Sequence, residues 1–323
     1  MGRNIVVCFD GTGNDYSERN SSVIRLFQAI ERGPEQIAYY DPGVGTTAAP
    51  GALTRSAKSM TRFFGLAFGY GITKNIEDAY QFLMDEYQEG DRVFLFGFSR
   101  GAFTARALAG MLNKCGLLVK GSNNLIPYAS KMYKRGKDSI AWGFKATFSR
   151  ECKPHFVGVW DTVKSVGMLI PRKFPNATLN EDVKFGRHAV AIDEKRSKFR
   201  PNLWDEPGFS GQSIKQVWFA GYHSDIAGSH KADGLPNIAL RWMLDEAGKQ
   251  GLLINGAAYD EIKPDHTDRM HNSLFPIWWI LGWRHRTIAK GSLIHESVFQ
   301  RINDVPSYKP RNLPPKEDVT IVS

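Results

Sequence analysis

The chain has 323 residues, 42% apolar and 23% charged, with three cysteines and no CxxC pair. Such a composition excludes a disordered chain, a disulfide-stapled scaffold and a cysteine-ligated zinc module. The formal net charge of +9, from 42 Lys and Arg against 33 Asp and Glu, favours anionic partners without choosing among membranes, nucleic acid and acidic substrates.

Ile5 to Phe9 reads as a buried strand, followed by the loop Asp10-Gly-Thr-Gly-Asn14. Ser21 or Ser22 caps a helix running to about Ile30, and Gln36 to Tyr40 forms a second strand closed by Asp41-Pro-Gly43. Residues 44–52 read as loop, before a helical stretch broken by Gly65, Gly69 and Gly71. Asn75 to Tyr87 then carries Ile76, Ala79, Tyr80, Leu83 and Tyr87 on one helical face. Arg92 to Phe96 is an apolar strand, and residues 100–115 form an apolar helix ending near Gly116. Phe156 to Trp160 and Val217 to Ala220 are further strands, and Pro236 to Ala247 is helical. Between those two strands, residues 165–215 read as a long insertion, with His188 on a helix. Strands alternating with helices imply a mostly parallel sheet covered on both faces.

The stretch Val93-Phe-Leu-Phe-Gly-Phe-Ser-Arg-Gly-Ala102 contains the GxSxG pattern Gly97 to Gly101. Flanking glycines let the chain turn sharply from strand to helix. The turn lifts the Ser99 hydroxyl above the sheet and aims the amide of Arg100 at a developing oxyanion. An apolar strand before the pattern and an apolar helix after it supply the context that the mechanism needs. The expected fold is α/β-hydrolase-like, a mostly parallel sheet with a small cap or lid insertion.

A nucleophilic serine requires a base, and the base a carboxylate that fixes its tautomer. His223 lies just past the strand Val217 to Ala220, at the end where active sites of open parallel sheets collect. His295 is the rival base, late in the chain. Asp161 follows the strand Phe156 to Trp160 and fits the orienting acid, with Asp225 as its rival or as an organiser of the loop behind His223. In the first loop, Gly11 or Thr12 is the candidate second oxyanion donor, and Asp10 either braces its own loop or acts as a phosphatase-like nucleophile. Against the last stands Cys8, where such phosphatases carry a second aspartate.

Together these pieces resemble a bacterial and fungal family of uncharacterised α/β hydrolases that includes the type VI secretion phospholipase effectors. The resemblance runs from about Ile5 to about Arg301. It rests on Phe9-Asp-Gly-Thr-Gly-Asn14, Tyr40-Asp-Pro-Gly-Val-Gly45, Gly97-Phe-Ser-Arg-Gly-Ala102, Val159-Trp-Asp-Thr-Val163, His188-Ala-Val-Ala-Ile-Asp-Glu194 and His223-Ser-Asp225, in this order. It implies Ser99 as nucleophile, Asp161 as triad acid and His223 as base, with phospholipid esters as substrate. The chain departs from the family's glycine run after His-Ser-Asp, continuing instead Ile226-Ala-Gly-Ser-His230.

Phe275-Pro-Ile-Trp-Trp-Ile-Leu-Gly-Trp283, followed by Arg284-His-Arg286, suits a lid or an interfacial anchor on anionic lipid, or a buried crossover. Pro171-Arg-Lys-Phe-Pro175 suits an exposed basic cap. Residues 1–304 are expected as the catalytic domain, with 165–215 and 270–290 as cap or lid elements and 305–323 as an extended, Pro-rich tail. The expected reaction is ester hydrolysis through an acyl-enzyme, without metal or cofactor. The partners are a lipid or other ester and an anionic membrane surface. The alternatives are a soluble carboxylesterase and a non-catalytic binding protein on the same fold; nucleic acid is not expected. With no signal peptide or spanning segment visible, the chain is expected to be cytoplasmic as synthesised, with any export by a non-classical route.

Overall fold

The computed structural model describes residues 2–11, 20–43, 66–163, 179–205, 208–228, 233–272 and 282–323. Near-continuous apolar runs such as Ile5 to Phe9 and Val93 to Phe96 are what strands buried on both faces require. The strands are β1 (Asn4–Phe9), β2 (Gln36–Asp41), β3 (Arg92–Phe98), β4 (Leu117–Leu118), β5 (Ser149–Arg150), β6 (Pro154–Trp160), β7 (Phe185–Ala191), β8 (Ser213–Phe219), β9 (Leu293–His295) and β10 (Thr320–Val322). Eight of them make one sheet in the order β10-β9-β8-β7-β6-β3-β1-β2, every neighbouring pair parallel. β4 and β5 form a separate antiparallel ribbon.

The helices are α1 (Ser22–Ala29), α2 (Leu66–Glu86), α3 (Arg100–Cys115), α4 (Ile126–Arg135), α5 (Asp138–Phe148), α6 (His223–Ala227), α7 (Gly234–Gly248), α8 (Gly256–Asp260) and α9 (Glu296–Asp304). Alternate strand residues serve opposite faces. Ile5, Val7, Leu95, Val157 and Val159 pack with α2, α3 and α4. Val6, Cys8, Phe94, Phe96 and Phe156 pack with α1 and α7. All three cysteines are free and buried. No helix among the described residues is long and apolar enough to cross a membrane.

Four expectations change. Gly69 and Gly71 do not break the helix but lie within α2, which runs from Leu66 to Glu86, while Gly65 lies outside the described residues. Residues 165–215 are not one insertion, because β7 lies inside them and joins the sheet between β6 and β8. His188 is therefore a strand residue, not a helical one. Arg187 and His188 interrupt the apolar pattern of β7, yet each has a buried partner: Arg187 Nε donates to Glu246 of α7 at 2.5 Å, and His188 Nε2 accepts the Thr162 amide at 3.2 Å. The C-terminal segment docks rather than trailing free. Tyr308 is buried, Asn312 bonds the Ile192 and Arg286 carbonyls, and β10 pairs with β9 at the sheet edge.

Candidate active site

β3 ends at Phe98 and α3 begins at Arg100, which leaves Ser99 at the turn with φ +55° and ψ −111°. A non-glycine residue held there costs about 1–3 kcal/mol, a strain that the surroundings must impose. Gly97 and Gly101 permit it. A Cβ at 97 would overlap the Gly101 carbonyl, and one at 101 would overlap the Phe9 carbonyl at the end of β1. The Ser99 amide donates to the Trp160 carbonyl at 3.0 Å and ties the turn to the end of β6.

Asp161 comes next on β6's side, also at positive φ (+40°), with its amide on the Ala189 carbonyl of β7 at 2.8 Å. His223 opens α6, three residues past the last of the loop's apolar lead-in from β8. Its Nε2 lies 2.8 Å from Ser99 Oγ and its Nδ1 2.6 Å from Asp161 Oδ2. The Phe98 and Phe199 rings flank the imidazole at 5.0 and 5.1 Å. Ser99, Asp161 and His223 are each 9% exposed or less, so water is largely excluded from the chain of contacts.

The Asp161 carboxylate also accepts the Ala191 amide at 3.0 Å and two N–H groups of Arg286, at 2.5 and 2.9 Å. Burial alone would raise its pKa, but the Arg286 guanidinium, joined by His223, holds the carboxyl well below the usual carboxylate range. The sequence leaves the segment ending at Arg286 open between an interfacial anchor and a buried crossover; Arg286 itself is buried against Asp161. No local sequence signal joins residues 125 apart.

The remaining candidates occupy supporting or separate places. Asp225 accepts the Tyr222 amide at 3.0 Å and His271 Nδ1 at 2.8 Å, so it braces α6. Glu194, which sequence reasoning did not single out, accepts the His223 amide at 3.3 Å and pairs with Arg196. His295 caps α9, its Nδ1 accepting the Ser297 amide at 3.2 Å while its ring stacks on Phe219 at 4.8 Å. Burial pushes its pKa down to about 4.

Asp10 accepts the Ser21 hydroxyl at 2.5 Å and the Tyr40 hydroxyl at 2.9 Å. The Gly11 amide donates to Asp10 Oδ1 at 2.6 Å, so the expected oxyanion donor is already engaged by its own loop. Thr12 lies outside the described residues, as do Pro171 to Pro175 and 273–281 of the aromatic stretch. The Arg100 amide stands at the first turn of α3, beside Ser99. Among the described residues no group of three or more His, Cys, Asp or Glu is arranged to hold a metal ion.

An all-parallel eight-stranded sheet with a serine on the sharp turn from β3 into α3 defines an α/β-hydrolase-like protein. The chain belongs to the family described as "T6SS, Phospholipase effector Tle1-like, catalytic domain", whose model matches residues 3–246. The structure of the Tle1 effector bound to the VgrG spike from the Type 6 secretion system shares the fold, with a TM-score of 0.53 and 15% identity over 82% of this chain and 76% of that one. An uncharacterized protein from Pseudomonas aeruginosa aligns with a TM-score of 0.46 and 17% identity, over 82% of this chain and 49% of its own. The uncharacterized protein YEL023C of Saccharomyces cerevisiae is 37% identical over 219 residues, which are 62% of this chain and 32% of that protein. The chain thus spans about a third of the length of that curated relative.

Proposed function

We propose that this protein is a serine ester hydrolase acting on phospholipid, with Ser99 as nucleophile. The observation that carries the reading is the continuous contact from Ser99 Oγ through His223 to Asp161, at 2.8 and 2.6 Å. Ser99 Oγ attacks the ester carbonyl carbon as His223 Nε2 takes the hydroxyl proton. The imidazolium then gives that proton to the departing alkoxide, leaving an acyl group on Ser99. Water, deprotonated by the same nitrogen, adds to the acyl carbon and releases the free acid and the serine. Asp161 holds the Nδ1–H tautomer and balances the imidazolium charge. The Arg100 amide, at the first turn of α3, donates to the oxyanion. Membership in a phospholipase effector family supports lipid as the ester.

Fluorophosphonate labelling of wild-type and Ser99→Ala protein tests the nucleophile: wild type is labelled and the variant is not. Hydrolysis of phospholipid vesicles against short soluble esters tests the substrate class. Efficient turnover of short esters without enhancement on vesicles would make the protein a soluble carboxylesterase.

A further inference from the structure

Arg286 meets Asp161 as a fork. Nη1 and Nη2 donate to the two carboxylate oxygens, while the same nitrogens donate to the Ala191 carbonyl at 2.9 Å and the Phe199 carbonyl at 2.6 Å. The side chain is 4% exposed. Its own carbonyl is held by Asn312 of the docked C-terminal segment at 3.1 Å. A buried cation fixed at four points on one carboxylate and two carbonyls cannot swing away without leaving its charge uncompensated.

This arrangement has a chemical consequence. The Asp161 carboxylate faces His223 with one oxygen and shares its negative charge with a permanent guanidinium through both. A carboxylate without such a partner would stabilise the imidazolium more strongly. The other charged and titratable groups facing His223 are Glu194 at its amide, with Arg196 bound to that carboxylate, and Asp225 in α6, which His271 engages. Glu194 is itself coupled to the charge of His223, and Arg286 bears on the imidazole through the carboxylate of Asp161.

We propose that Arg286 is a positioning residue of the site: it clamps Asp161 so that Oδ2 meets His223 Nδ1, and it sets a fixed positive charge against the Asp161–His223 pair. The kinetic half of this inference rests on the hydrolase reading; the effect on the imidazole itself does not.

The test uses the full chain carrying Arg286→Gln or Arg286→Lys. The first readout is the His223 ring titration by NMR in the Ser99→Ala background, assigned by the signals missing in His223→Gln. The second is the pH profile of fluorophosphonate labelling with Ser99 intact. Folded Arg286→Gln is expected to move the imidazole midpoint upward by about one unit relative to its parent, and the acid limit of labelling by the same amount. A midpoint that stays in place overturns the proposal, since a merely structural pin would change stability and not titration. Should Arg286→Gln unfold, Arg286→Lys carries the test, because it keeps the charge and loses the fork. There the midpoint stays while labelling slows by about tenfold. Labelling at the wild-type rate overturns the clamp. A shifted midpoint in a protein whose wild type is never labelled would sustain the inference and defeat the hydrolase reading.

Discussion

His223, His188 and His295 are all buried, yet their ring nitrogens meet different partners and so take different roles. His223 has a carboxylate on Nδ1 and a hydroxyl on Nε2. His188 accepts the Thr162 amide with Nε2, directly behind Asp161, and burial, helped by Arg106, pushes its pKa down to about 3. It is a neutral strut that holds the turn carrying the acid. His295 caps α9. From the sequence alone His295 and His223 compete, because position along the chain says nothing of what a ring faces. Their different partners in the structure give different expectations for substitution. His295→Ala removes a helix cap and is expected to cost about 1 kcal/mol of stability while labelling of Ser99 proceeds at the wild-type rate. Denaturant midpoints and labelling on the same preparation measure both. Lost labelling in folded His295→Ala would return that histidine to the chemistry.

At the scale of elements, the turn from β3 into α3 depends on two glycines for close approach rather than for positive φ. A methyl group at 101 meets the Phe9 carbonyl, which cannot retreat without disturbing β1 in the sheet interior. Gly101→Ala is therefore expected to displace the turn and reduce labelling at least tenfold, in proportion to the misplacement of reacting groups. Intact far-UV circular dichroism with unchanged labelling would show that the β1 end yields. This turn was legible in the sequence because pattern and context coincide: Gly97 and Gly101 bracket Ser99 between an apolar strand and an apolar helix. β1, β3, β6 and β8 were legible as apolar runs. β7 was not, because Arg187 and His188 look like a surface, and only through-space partners on α7 and after β6 make them core. α4 and α5 were left unread, since Tyr128, Ile140 and Trp142 point outward and blur the helical period. Arg286 stayed open between an anchor and a buried crossover for a related reason: its partners, Asp161 after β6, Ala191 of β7 and Phe199, are remote in sequence.

Over the whole molecule, the buried titratable groups pull stability in opposite directions with pH. His188 and His295 stay neutral in the fold down to about 3 and about 4, whereas in the unfolded chain they take protons near 6.5; acidification through that window costs stability. Burial pushes Asp41 and Asp193 up to about 6, above their ordinary 3.8, so the fold takes those two protons first and acidification adds stability over the same window. Burial lowers His155 and His285 as well, so the carboxyls offset the histidines only in part. Lower down this offset ends. Burial opposes ionisation of Glu246, but Arg187, aided by Lys215 and Lys249, holds it at about 2 against an ordinary 4.5, and Asp161 is likewise held low. Both carboxylates stabilise the fold above the unfolded-state values, and that contribution is lost as pH falls towards the folded ones. The melting temperature is thus expected to fall gently from about pH 6 to about pH 5 and more steeply below about pH 4.5. Glu246→Gln should lower stability at neutral pH by about 3–5 kcal/mol, since Arg187 keeps its charge without its carboxylate, and should make the acid fall shallower. Melting curves across this range for both proteins decide it. A decline as steep from pH 6.5 as below pH 4.5 would mean that Asp41 and Asp193 do not hold protons in the fold, and an equally steep acid fall in Glu246→Gln would place the acid sensitivity elsewhere.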